Sequence, residues 1–224
     1  MARRMRGYIG RLCVVALAYL VTGRFGLLIP DLNPHITLLW LPSGIAVAAL
    51  YRWGYACWPA IYLAAFLVNC LIGSSLPLAA GIAIGNTAGP LFAVWLLRHF
   101  RFRPRLERAH DVVLLALAGV VGMALSATGG AANLLMHGVL DRVGFMQAWV
   151  SWWLGDAIGV LLVSPLLIGI SRREFVQLWR QRVEFLLWLL LAAAAVWLMF
   201  CLLRNDIADV TASAFLLPLV IWAA

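Results

Sequence analysis

Lysine is absent from this 224-residue chain: all 17 basic residues are arginines. Charge of either sign is scarce, at 12% of residues against 65% hydrophobic. A soluble domain carries about twice that charged fraction. Composition therefore excludes a soluble globular protein, and a mean hydropathy of +0.97 fits an integral membrane one. Cysteine is equally sparse. Cys13, Cys57, Cys70 and Cys201 lie singly in apolar runs, without metal-ligand spacing, and read as small buried hydrophobes. His35, His99, His110 and His137 stand at the ends of runs, which argues against a haem or metal pair within the membrane. No HExxH, Walker loop, GxGxxG or CxxC occurs. The expectation is a protein that is not itself an enzyme, with no cofactor and no metal. A net charge of +8 on a soluble chain would suggest nucleic acid. Here the arginines read as membrane topology instead, with the lipid bilayer and not nucleic acid as the partner.

What is abundant is apolar sequence. Runs long enough to cross about 30 Å of hydrocarbon fall at roughly 12–29, 36–51, 56–73, 77–97, 112–136, 145–170 and 184–203, and an eighth begins near Ser213. The fold class expected is all-α, a polytopic membrane bundle of seven full helices plus a truncated eighth. The whole of 1–224 reads as one membrane-embedded domain whose C-terminal end is cut within that last helix. The first run follows Arg3, Arg4, Arg6 and Arg11 but has no small-x-small cleavage site, so it reads as an uncleaved helix, not a signal peptide. Fourteen of the 17 arginines fall on one side of this arrangement. By the positive-inside rule that side is cytoplasmic, which places the N-terminus in the cytoplasm and the protein in the inner (plasma) membrane.

The sixth run carries Asp156 close to its middle, with no other charge between Arg142 and Arg172. A central aspartate costs about 2.5–3.5 kcal/mol on insertion scales. Its apolar neighbours offset that, but the carboxyl must face protein or water. Given the orientation above, Ser43, Asn69, Asn86, Trp152 and Trp153 fall between the midplane and the outer face, and the inner half is nearly all aliphatic. Several polar groups at one depth suggest a pocket in the outer half for a small-molecule or membrane ligand. Pro42, in Trp40-Leu41-Pro42-Ser43-Gly44, either kinks the second helix or marks a broken helix lining a polar cavity. Arg24 is the cation nearest in depth. It either meets Asp156, directly or through water, or snorkels to the interface and leaves Asp156 protonated or bonded to Asn86. Glycines and serines at steps of four (Gly81, Gly85, Gly89; Gly122, Ser126, Gly130; Ser151, Gly155, Gly159) give helices four to six faces that allow close approach.

Taken together, Leu39-Trp40-Leu41-Pro42-Ser43-Gly44-Ile45-Ala46, Phe66-Leu67-Val68-Asn69, Gly85-Asn86-Thr87, Trp152-Trp153-Leu154-Gly155-Asp156-Ala157-Ile158-Gly159-Val160 and Gly23-Arg24-Phe25-Gly26-Leu27 resemble the bacterial membrane-associated sensor domain of the first MASE class. The resemblance implies an N-terminal multi-pass sensory domain ahead of a cytoplasmic output in cis, a histidine kinase or a diguanylate cyclase, with a homodimer among the assemblies open to it. It brings no settled ligand. A small multi-pass transporter is the alternative from another class.

Overall fold

A computed structural model describes residues 2–27, 35–106 and 108–169. These residues form six α-helices: α1 (Ala2–Gly26), α2 (Leu41–Trp53), α3 (Trp58–Leu71), α4 (Leu76–His99), α5 (Ala109–Met136) and α6 (Phe145–Gly169), with a single 3-10 turn at Tyr55–Cys57. No strand occurs among the described residues. Each helix coincides with one of the first six apolar runs. The seventh and eighth runs lie outside the described residues.

Among the described residues, four helices are long and apolar enough to cross a bilayer: Met5–Gly26 within α1, and α4, α5 and α6. The second and third runs fall short of the expectation that each crosses as a helix. α2 has 13 residues and α3 has 14, so each spans only about 20 Å at about 1.5 Å per residue. The missing length of the second run is residues 36–40, which are not helical yet hold the buried Ile36, Thr37 and Trp40. Pro42 explains the break. It occupies the first turn of α2, where its missing N–H has no intrahelical partner to lose. So Pro42 starts a helix; it does not kink one. Pro59 and Pro77 open α3 and α4 in the same way. α1, by contrast, begins ten residues before its apolar run, since arginine is a good helix former and hydropathy marks only the apolar stretch of a helix.

The small faces of α4 and α5 do meet. A Cβ on Gly85 would stand 3.3 Å from the Gly129 Cα, and one on Gly122 would stand 2.7 Å from the Ala93 Cβ. The small face of α6 has a different partner. A Cβ on Gly155 or Gly159 would collide with the carbonyl oxygens of Thr37 and Trp40. These glycines therefore admit the non-helical 36–40 backbone, and α6 meets α5 through larger side chains, Val160 against Gly119 and Trp152 against Gly130. At the arginine-rich end, Arg98 donates from Nη2 to the carbonyls of Leu50 and Tyr51, both at 3.1 Å. That closes the C-terminus of α2, where carbonyls lack helical partners. The α4–α5 turn is held there too: Asp111 Oδ1 accepts the Arg103 N–H at 3.0 Å, and the Tyr51 hydroxyl donates to the Phe102 carbonyl at 3.0 Å.

Candidate functional site

The site grows from the contact between residues 36–44 and α6. The Trp40 N–H donates to the Gly155 carbonyl at 3.0 Å, so a backbone group that would otherwise be stranded in an apolar medium is satisfied. Ser164 donates to the Gly44 carbonyl at 3.0 Å. Between these two bonds the Ser43 hydroxyl donates to Asp156 Oδ1 at 2.5 Å. Asp156 is 0% exposed. The carboxyl faces protein, as its cost in hydrocarbon requires. Its second oxygen, Oδ2, has no hydrogen-bond partner. Ser126 of α5, the Trp152 indole and the Tyr19 phenol of α1 are further polar groups facing it, and Ser126 also donates to Asn86 Oδ1 at 3.2 Å.

Beside this cluster lies a cleft lined by Leu27, His35, Ile36, Thr37, Trp40, Asn69, Ile82, Asn86 and Trp152. Most of it is narrow: only about 10 Å³ admits the centre of a water molecule, close to the least volume that holds one water. The cleft as it stands is therefore nearly shut. At its mouth the Ser74 hydroxyl is 3.5 Å from His35 Nδ1. Burial pushes the His35 imidazole below its ordinary range, and a bond to Asn69 partly opposes this. Among the described residues no three His, Cys, Asp or Glu side chains come together. What the arrangement can do is hold a proton or exchange hydrogen bonds at a carboxyl screened from lipid.

Of the residues singled out from the sequence, Trp40, Asn69, Asn86 and Trp152 line the cleft, and Ser43 and Asp156 lie behind it. Pro42 is buried at the start of α2. Two stand apart. Trp153 turns to α5, its indole donating to the Val120 carbonyl at 2.7 Å. Arg24 is exposed and makes no direct ion pair with Asp156, so of the two alternatives above the arrangement is the one in which it turns to the interface. A guanidinium on the outer face of α1 reaches the interface at lower cost than it reaches a sealed carboxyl. Asn69 also donates to its own helix, at the Ala65 carbonyl. Sequence reasoning missed Tyr19, 0% exposed and packed edge-on to Trp40 with ring centroids 6.3 Å apart. The available signal was a phenol in the middle of an otherwise apolar run. It also missed His35 and Thr37, which gain meaning only once 36–40 is seen to enter the bundle.

A family profile decides the larger assignment. The MASE1 profile matches residues 11–224. The chain belongs to the MASE1 family. MASE1 domains are membrane-associated sensor domains, and the apolar helices described above are in keeping with contact with the bilayer. No curated protein and no solved structure matches the chain. Within MASE1, then, the cleft and the Asp156 cluster rest on this chain's own geometry.

Proposed function

We propose that this MASE1 chain is the signal-input part of a larger bacterial signalling protein of the inner membrane, with its N-terminus in the cytoplasm. A small molecule or a membrane-borne signal acts at the cleft, changes the packing of residues 36–40 on α6, and the change passes to a C-terminal cytoplasmic output of histidine kinase or diguanylate cyclase type. The chain itself performs no catalysis in this reading. The observation that carries it is the Trp40 segment, a buried non-helical backbone with the cleft on one side and the Asp156 helix on the other. A ligand shifts an equilibrium only by binding one packing better than the other. With room for about one water, the cleft must widen for anything larger, and that widening supplies the second packing.

The test uses the full-length protein. Ser43→Ala removes the hydrogen bond to Asp156, worth about 1.5–3 kcal/mol when the partner is charged, and so shifts the balance of packings by about tenfold or more. Basal output of Ser43→Ala and Asp156→Asn should move away from the parent level in a kinase or cyclase assay. Output unchanged in both, under all growth conditions, defeats the reading. The non-helical entry into α2 also favours a transporter, since broken helices recur at transporter substrate sites. Substrate flux into vesicles containing this chain alone would decide for that rival.

A further inference from the structure

Three buried polar atoms in one neighbourhood lack a hydrogen-bond partner: Tyr19 Oη, Trp40 Nε1 and Asp156 Oδ2. Buried polar groups are nearly always partnered, so three orphans side by side call for a shared occupant. Their proximity is plain: Tyr19 stacks edge-on with Trp40, and its hydroxyl lies close to the Trp40 indole and Asn86 and within electrostatic reach of Asp156. The chemistry of the three atoms restricts the occupant. An indole N–H only donates, so the occupant must accept. A carboxylate oxygen accepts, so the occupant must donate as well. A bare metal cation fails against the indole N–H, and a halide fails against the carboxylate. An O–H group satisfies both, with the Tyr19 hydroxyl as a third partner able to give or take. The adjoining cleft shares Trp40 with this cluster, is walled beside it by Asn86 and Trp152 and by neither Tyr19 nor Asp156, and has space for about one water.

We infer that Tyr19, Trp40 and Asp156 hold one water molecule between them, and that this water makes the Asp156 carboxyl a proton-binding site supplied from the cleft. The step balances simply. A hydronium proton arriving through the cleft is relayed by the held water to Oδ2, water remains, and the carboxylate becomes a neutral acid; nothing is oxidised or reduced. The groups facing Asp156 are Ser43 from α2, Tyr19 from α1, Ser126 from α5 and Trp152 on α6. None of them is a cation. A proton is thus what neutralises a carboxyl sealed among helices, and the ligand of the cleft is the proton itself. For its signalling consequence this inference rests on the signal-input reading above.

The test is infrared difference spectroscopy on the whole chain in lipid vesicles, grown with carboxyl-13C aspartate, while the bath pH is stepped. The parent should show a protonated aspartic C=O band that grows as the bath is acidified and moves in D₂O. That band should vanish in Asp156→Asn and shift in Ser43→Ala, which loses the O–H on the other oxygen. Tyr19→Phe keeps the ring and deletes one partner of the water, so deuterium exchange at the band should slow about tenfold, the factor expected for one lost hydrogen bond. Should Asp156→Asn not fold, the Ser43→Ala shift assigns the band. A band unchanged in Ser43→Ala and Asp156→Asn, no pH-dependent aspartic band at all, or parent-rate exchange in Tyr19→Phe overturns the inference. A band that titrates while full-length output ignores both pH and the cleft variants keeps the proton site and defeats signal input. A silent carboxyl beside an output that responds to those variants does the reverse.

Discussion

Single residues govern how this domain responds to acid at its mouth. His35 sits half-buried beside Ser74, outside the helices, and burial holds its imidazole below the ordinary value of 6.5. The sign follows from proton counting. The unfolded or opened segment binds the proton more readily, so the closed mouth is fully stabilised above pH 6.5 and loses stability as the pH falls through that value toward the lower, folded one. Amide protection at residues 36–40, taken relative to the intrinsic exchange rate at each pH, should therefore fall below that pH, and His35→Gln should flatten the dependence. Equal acid sensitivity in the variant would remove His35 from the account. The sequence set this histidine aside as one of four at run ends, because nothing local says that the next five residues dive into the bundle. Asp156 was legible for the opposite reason. Its cost in hydrocarbon is a property of the residue and its depth alone, and demands a protein-lined setting whatever the neighbours are. Its partner was not legible: Arg24 answers on charge, but contact between Ser43 and Asp156 depends on where α2 begins.

At the scale of elements, the glycines separate into those that are structural necessities and those that are not. Gly159 receives the Trp40 carbonyl at a distance no side chain allows. Gly159→Ala should destabilise the domain by about 1–3 kcal/mol, the usual cost of overpacking, and loosen residues 36–40 first. Gly7 in α1 has nothing within 4 Å of an added Cβ. Gly7→Ala should instead stabilise by about 0.5–1 kcal/mol through helix propensity alone. Thermal unfolding in one detergent would compare the two, and a milder effect at Gly159 than at Gly7 would contradict the packing described. Periodicity exposed the α4 and α5 faces, since Gly85 and Gly122 find one another as helix meets helix. It could not reveal that Gly155 and Gly159 face a non-helical stretch of backbone, because a step of four looks the same whatever lies opposite. Run length misled in the same place: residues 36–40 are as apolar as a helix, and only Pro42 hints at the break.

Across the whole molecule, orientation is the property that arginine counting argues and that labelling can check. Val143, 89% exposed in the α5–α6 turn, lies at the end opposite the α4–α5 turn with Arg101. In intact cells, Val143→Cys should react with a membrane-impermeant maleimide and Arg101→Cys should not, since the arginine-rich end is taken to face the cytoplasm. The inverse pattern would turn the domain over and move the cleft to the cytoplasmic side. The membrane class and the all-helical architecture were readable from composition and run length, which sum over many residues. The closed cleft was not, as its walls come from Leu27 just past α1, from α3, α4 and α6, and from a non-helical segment that no local pattern assigns.

The Trp40 N–H and the carbonyl that receives it belong to segments made far apart in time during synthesis. Until α6 has left the ribosome, the Trp40 amide has no acceptor, and lipid offers none. Residues 36–40 must therefore wait at the aqueous surface or inside the insertion machinery while α3, α4 and α5 are laid down. A Thr37→Cys nascent chain stalled before Phe145 should be open to a water-soluble thiol reagent, and one stalled well beyond Gly169 should be closed to it.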